Sequence, residues 1–470
     1  MADSAHMRAS DAFSWYMEED PLLRSTVVAV AVLDGVPDWP TLVAKVDRAS
    51  RLIPAFRQHV VSPPLRLATP RWTVDPDFDL SWHVRRVDAP APGDLATVLE
   101  LARIAGMTAF DRARPLWEFT LVEGMAGGQS ALVMKLHHSL TDGVGGMQLA
   151  LLLFDLEPVA ADLGPLPEVA PGERLSRDDL VRDAIADNWR RAVAMAGRAV
   201  RSMPGGLRAA RHPRQAIGSA ASTFAAIAKV VQPVSETLSP VMTERRLTWH
   251  YEVLQVPLDD LKRASKVAGG TLNDAFLASV SGGLRRYHER HGTSVQELRV
   301  TMPVSIRHPD DPPGGNRITL MRFKVPAGEA DPVARMTAIR PLVRACRDDR
   351  SLPWTNTIAG MLNVLPSSVV GGMLKHVDFL ASDVPGFEFP VYLAGAEMRD
   401  YYAFGPTIGA SVNVTLMSYR STCCVGVTID TGAVPDVEVL TGCLRDGFEE
   451  VLAVGGGHDA VRMPLAVGAG

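Results

Sequence analysis

The sequence predicts an α/β protein of two sandwich-like halves with mixed sheets, joined by a helical connector. Three observations carry this expectation. At 470 residues the chain exceeds what one hydrophobic core ordinarily supports, so two domains are expected. Strand-like runs alternate with runs of helical spacing in two separate stretches, in an order that suits an α/β sandwich better than an all-parallel sheet. Between those stretches the composition shifts to a Pro-rich segment, then to sequence dominated by Ala, Arg and Val. The boundaries read from these changes are 1–158, 159–245 and 246–470.

In the first stretch, Ser25 to Leu33 is a β-branched, apolar run ended by Asp34-Gly35. Pro40 to Ala49 has helical spacing, and Arg71 to Leu80 followed by His83 to Val87 reads as strand, turn and strand. Leu95 to Ala109 reads as a helix. Trp117 to Glu123 reads as a strand that pairs with the next apolar run, Ala131 to Leu136. That run stops at two adjacent histidines. A polar turn follows, broken by Asp142-Gly143, before a helix from Met147 to Leu153.

The connector is basic. From Asn188 to Val231 there is no Asp or Glu, but there are seven Arg (190, 191, 198, 201, 208, 211 and 214) and Lys229. On a helical wheel Trp189, Val193, Ala196, Val200 and Met203 share one side, and Arg190, Arg191, Arg198 and Arg201 the other. Such a helix suits an anionic membrane or lipid-droplet surface, and equally suits packing on the protein with a solvated basic face. Pro204-Gly205-Gly206 breaks it.

The second stretch opens with a strand from His250 to Val256 and a helix from Leu258 to Ala268. Thr271-Leu272-Asn273-Asp274 caps a long helix that runs through Tyr287. Leu298 to Ile306 and Ile318 to Val325 are strands, and Asp331-Pro332 opens a helix to about Arg347. Val391 to Met398, Ser411 to Ser418 and Cys423 to Ile429 complete the strand-like runs. Two similar halves of this kind point to a site at their interface.

Composition narrows the function classes. A 47% hydrophobic and 21% charged chain is ordinary for a globular protein, and a net charge of −5 gives no global pull toward nucleic acid. Cys346, Cys423, Cys424 and Cys443 form no Cys-x-x-Cys pair, which suggests buried thiols in a reducing compartment. The N-terminus lacks the basic-then-apolar pattern of a secretory signal, and no apolar run is long enough to span a bilayer. A cytoplasmic protein, peripherally associated with membrane or lipid droplets at most, is the expectation.

Some chemistries lack their motifs. No Gly-x-Ser-x-Gly elbow, glycine-rich phosphate loop or His-Glu-x-x-His pattern is present. What remains is a reaction needing one base and no covalent enzyme intermediate. Neighbouring side chains on an extended segment point to opposite sides, so only one of His137 and His138 can face a given cavity. His138 is assigned as general base, since a neutral imidazole suits deprotonation of a hydroxyl near neutral pH. His137 is assigned a structural role. Asp142 either contacts the imidazole or braces the loop through a buried Arg pair, the second being favoured. On that reading Asp142→Asn damages folding or yield, whereas a residue that tunes the base would mainly affect turnover. Gly143 stands where a side chain would block a channel or where φ must be positive.

The stretch His137-His138-Ser139-Leu140-Thr141-Asp142-Gly143 resembles the His-His-x-x-x-Asp-Gly signature of the chloramphenicol acetyltransferase and condensation-domain superfamily. Further blocks resemble the bacterial wax ester synthase/diacylglycerol acyltransferase family. They include Asp11-Ala12-Phe13 with Glu18, Trp72 with Asp75 to Asp79 and His83-Val84, and Pro115-Leu116-Trp117-Glu118. Asn273 to Ala278, Pro303 to Arg307 with Gly315-Asn316, and Gly409, Asn413, Ser418-Tyr419, Gly426 and Asp430 continue the match in order. One block departs: Asp383 in Ser382-Asp383-Val384-Pro385-Gly386-Phe387 stands where the family usually has Asn.

The resemblance implies two chloramphenicol-acetyltransferase-like domains with the site between them. It implies transfer of a long-chain acyl group from acyl-CoA, as co-substrate, to diacylglycerol or a fatty alcohol, with no cofactor or metal. Asn273 and Asp274 are carried over as supporting residues, against a plain capping role at the helix start. Pro115-Leu116-Trp117 reads as a packing element. Two competing readings keep the fold: acylation of a polyketide or glycolipid hydroxyl, and a non-catalytic homologue that binds lipid droplets.

Overall fold

The computed structural model describes residues 6–465 except 67, 160–163, 177, 191–192, 194–235, 307–317, 350–351, 353–354, 364 and 366. The first half contains α1 (Ala9–Met17), β1 (Thr26–Asp34), α2 (Trp39–Leu52), β2 (Gln58–Val61), β3 (Arg71–Val74), α3 (Leu80–His83) and β4 (Val84–Asp88). It continues with α4 (Leu95–Met107), β5 (Trp117–Glu123), β6 (Ser130–His137) and α5 (Gly143–Leu153). The second half begins with β7 (Trp249–Pro257), α6 (Leu258–Val267), α7 (Leu272–Arg290), β8 (Leu298–Ser305), β9 (Ile318–Val325) and α8 (Pro332–Arg347). Then come α9 (Thr355–Leu362), α10 (Ser367–Leu374), β10 (Phe379–Val384), β11 (Tyr392–Leu393), β12 (Ala396–Phe404), β13 (Val412–Tyr419), β14 (Thr422–Asp430) and α11 (Val437–Val454).

Two six-stranded mixed sheets form the frame, in the orders β11-β12-β1-β6-β5-β4 and β7-β14-β13-β10-β8-β9. In the first only β4 and β5 run parallel; in the second β10 is parallel to both β13 and β8. β1 and β6 are buried along nearly their whole length, which is why their sequences are continuous apolar runs without alternation. Asp331 caps its helix as read from sequence, accepting from Val333 N and Ala334 N; Asp38, accepting from Thr41 N, and Asp94, accepting from Thr97 N, are caps the sequence reading did not name. Trp117 is fully buried, donates its indole N–H to Phe56 O at 2.8 Å and stacks on His83, so Pro115-Leu116-Trp117 is a packing element. All four cysteines are free and buried.

Three expectations change. The run Val391 to Met398 is not one strand but a hairpin, which turns at Ala394 (φ 45°) and Gly395 (φ 95°) and continues as β12 to Phe404. β12 pairs with β1, so residues 392–404 complete the first sheet, and the segment 246–470 does not fold back wholly on itself. β10, a short apolar strand absent from the sequence reading, lies inside the second sheet. Finally, α5 starts at Gly143 and not at Met147, because capping by Asp142 outweighs the poor helix propensity of Gly143, Gly145 and Gly146.

The sheets meet where β12 crosses β13 and β14. A Cβ at Gly426 would lie 2.3 Å from Ala403 O, so only glycine permits this approach. Tyr251 of β7 stacks on Phe404 of β12, and Gln255 Nε2 donates to Asp400 Oδ1 and Tyr402 Oη across the same seam. The larger apolar core therefore mixes both halves, taking Tyr251, Val384, Phe387 and Tyr401 alongside β1 and β6. Most of the Arg-rich connector, with Arg307, Gly315 and Asn316, lies outside the described residues.

Candidate active site

The pairing of β1 with β6 sets Thr26 opposite His137, so His138 N donates to Ser25 O at 2.8 Å. Alternation then places Met134, Leu136 and His138 on one face, and Lys135 and His137 on the other. Met134, Leu136 and His138 all line one cavity, as this requires.

His137 belongs to the opposite face and is fully buried. Its Nδ1 accepts from Ser139 N at 3.1 Å, which places the ring proton on Nε2, 3.2 Å from Glu18 Oε1. Glu18 Oε1 also accepts from Ser25 N at 2.6 Å. Burial pushes the Glu18 carboxyl up, but the contacts with His137 and Ser25 outweigh it and hold the group below its ordinary value. Glu18, His137 and Ser25 thus clamp the strand end that carries His138. Sequence reasoning named Glu18 only as part of a resemblance; its partner lies 119 positions along the chain.

The His138 side chain is half-buried, and its Nδ1 is buried with no hydrogen-bond partner among the described residues. Burial lowers its pKa; its own backbone carbonyl and the Asp142 carboxylate act in the opposite direction, and His137 adds to the lowering. A neutral imidazole at neutral pH follows.

Asp142 is the N-cap of α5. Its Oδ1 accepts from Gly145 N at 2.8 Å, so the carboxylate secures the turn that follows His138. This is a bracing geometry achieved through a backbone N–H, where the sequence reading favours an Arg pair. Gly143 has no positive φ; a Cβ there would come within 3.1 Å of Val384 Cγ2 on β10, so the second sheet approaches closely at this position. Asn273 and Asp274 do not join this group. Asp274 forms a capping box with Thr271, and Asn273 Nδ2 donates to Met302 Sδ at 3.5 Å, so both sit at the start of α7 behind β8. Asp383 is exposed on the face of β10 opposite Ser382 and Val384, which line the cavity.

Two cavities converge on His138. One, with about 980 Å³ of empty space, lies between the sheets and is lined by β1, β6, α5 and β12 against β10 and β13. The other, with about 1310 Å³, lies under α1, α9 and the end of α10, and is also lined by Thr301, Thr319 and Arg322. His138, Ile318, Leu320 and Ile408 border both. Polar groups that sequence reasoning did not place here are Ser382, Asn413 and Thr415; Asn413 Nδ2 donates to Pro406 O and its Oδ1 accepts from Thr415 Oγ1. An imidazole reachable from two largely apolar spaces can deprotonate a hydroxyl delivered from one side while an activated acyl group is presented from the other.

Residues 7–276 match the wax ester synthase/diacylglycerol acyltransferase catalytic domain, and residues 314–451 match the WS/DGAT C-terminal domain. A Mycobacterium tuberculosis protein provisionally named as a diacylglycerol O-acyltransferase is 39% identical over 454 residues, covering 94% of this chain and 90% of its own. A second M. tuberculosis protein with the same provisional name is 29% identical over 474 residues, covering 94% and 96%. Among solved structures, the wax ester synthase/diacylglycerol acyltransferase from Marinobacter aquaeolei VT8 superposes with a TM-score of 0.64 at 18% identity, covering 96% of this chain and 100% of that one. The first condensation domain of the calcium-dependent antibiotic synthetase gives 0.62 at 14% identity, covering 99% of each. With two mixed sheets, the His-His-x-x-x-Asp-Gly turn at their junction and family models matched across most of its length, the chain belongs to the wax ester synthase/diacylglycerol acyltransferase family and is an acyltransferase.

Proposed function

We propose that the protein transfers a long-chain acyl group from acyl-CoA to the free hydroxyl of diacylglycerol, forming triacylglycerol, and accepts fatty alcohols in the same site to form wax esters. The observation that carries this reading is the position of His138 between two large, mainly apolar cavities. His138 takes the proton of the acceptor hydroxyl as that oxygen attacks the thioester carbonyl carbon. The C–O bond forms, the C–S bond breaks, and the proton passes from the imidazole to the leaving sulfur. A thioester is already activated, so no acyl-enzyme and no cofactor enter the scheme.

The relatives' provisional names favour diacylglycerol as acceptor. Peripheral contact with a membrane or lipid droplet is part of the proposal, because such lipids reside there. Ile185 and Trp189, spaced by four on one helical segment, and Val193 are 63%, 72% and 55% exposed, and the Arg-rich sequence follows.

The test is acyl transfer by purified protein from radiolabelled palmitoyl-CoA, with diacylglycerol and hexadecanol in parallel and His138→Ala as control. Triacylglycerol that disappears in the variant supports the reading. No product with either acceptor from folded protein counts against it, in favour of another hydroxyl acceptor such as a polyketide or glycolipid, or of lipid binding without turnover.

A further inference from the structure

The cavity between the sheets has a shape that the register of its walls defines. On the first sheet Val27 lies opposite Leu136, Ala29 opposite both Met134 and Ala403, and Ala31 opposite Tyr401. On the second, Leu380 lies opposite Asn413, Ser382 opposite Thr415, and Val384 opposite Met417. These are successive cross-strand rows on facing surfaces, so the cavity is a slot that runs along the strands. It begins at His138, beside Ser25, and its farthest row on the first sheet is that of Tyr401, beside Ala31.

Small residues stand along the slot beside larger apolar ones such as Met134 and Leu149: Ala29, Ala403, Ala150 and Gly146, where a Cβ would meet nothing within 4 Å. At its end the lining changes to an aromatic ring. Tyr401 is 4% exposed, and behind it Phe154 packs edge-on against both Tyr401 (6.2 Å) and Phe387 (6.1 Å). Of these three rings Tyr401 alone lines the slot, and the other two pack behind it. The Tyr401 hydroxyl has no hydrogen-bond partner among the described residues, so it contributes shape and no polar tie to the fold.

From Ser25, just before β1, to Ala31 is six residue steps, about 20 Å at the rise of an extended strand. Carbon–carbon bonds of ~1.5 Å in a zigzag advance ~1.3 Å per carbon, so about sixteen carbons fill that length. The second cavity is larger and is bordered by Ser10, Ser14, Thr319 and Arg322, which suits a glycerolipid with two chains and ester oxygens. We propose that the slot between the sheets receives the acyl chain of the thioester donor and that Tyr401, at its closed end, sets the longest chain accepted. This assignment rests on the acyltransferase reading above and adds which cavity takes the donor and what measures it.

The experiment is a donor series from octanoyl-CoA to arachidoyl-CoA with full-length protein and one fixed acceptor, and an acceptor series of fatty alcohols with one fixed donor. Tyr401→Ala is expected to move the donor optimum for kcat/KM longer by about four carbons, the span of the removed ring, while Tyr401→Phe leaves it in place. Gly146→Leu, which fills open slot without touching Tyr401, is expected to cut kcat/KM for the longest donors at least ~tenfold and spare the shortest. Thermal melts establish that each variant is folded, and Gly146→Leu decides the matter should Tyr401→Ala fail to fold. A donor profile unchanged in folded variants overturns the assignment, as does a shift in the alcohol profile in its place. Wild-type protein with no transfer from any acyl-CoA removes the underlying function as well, a result distinct from an active enzyme with an unmoved profile.

Discussion

At the residue scale the two adjacent histidines divide the labour by facing opposite ways. His138→Ala is expected to lower kcat/KM about 10²–10⁴-fold with little loss of stability, measured by product formation and thermal melts. Because burial lowers the His138 pKa, the catalytically useful neutral form persists below the ordinary imidazole value of about 6.5. The acid limb of kcat/KM, which reports the free enzyme, is therefore expected below pH 6.5; a limb above it would contradict the burial argument. Glu18 titrates with the opposite consequence. Its folded-state pKa is lowered, so its contribution to stability is present above the unfolded carboxyl pKa and is lost as pH falls through the folded one. Glu18→Gln is expected to cost about 1–3 kcal/mol at neutral pH, with the deficit against wild type shrinking in acid, as denaturant melts across pH would register.

At the scale of elements, α5 is the part most exposed to a single change. The cap at Gly145 N changes the expectation for Asp142→Asn: Asn is as good a cap as Asp, so this variant is expected to fold better than Asp142→Ala, which loses about 1 kcal/mol of capping. Equal damage by both would show that the carboxylate charge, not its hydrogen bond to Gly145, secures the turn. The seam between sheets is as intolerant. Gly426→Ala places a Cβ against the Ala403 carbonyl and is expected to destabilise by about 1–3 kcal/mol, read as a lowered melting temperature. The caps of α7 and α8 were legible in sequence because capping is a matter of three or four consecutive residues. The hairpin of β11 and β12 was not, because Ala394-Gly395 turns the chain inside a run whose side chains are apolar on both sides of the bend.

At the scale of the molecule, β12 ties the halves together. It belongs by sequence to the second half and by hydrogen bonding to the first sheet, where it covers the edge of β1. A fragment of residues 1–245 lacks that strand and leaves a long apolar edge open, so it is expected to aggregate alone and to become soluble when co-expressed with residues 246–470. A soluble, monomeric 1–245 fragment with native-like hydrogen exchange would refute this.

Legible in the sequence were several features set by neighbours along the chain: a buried strand that ends at His137-His138, the opposite facing of the two rings, the turn at Asp142-Gly143, and the capped helix at Thr271. Period and capping act over a few residues, so they survive without knowledge of the fold. The tertiary structure alone decided what joins residues far apart. It set Glu18 on His137, brought Val384 against Gly143, placed Asn273 and Asp274 behind β8 and away from His138, and laid the rows of β1, β6 and β12 over those of β10 and β13 to make a slot. Those pairings depend on which strands become partners and in what register, and no local pattern specifies that where a strand is apolar on both faces.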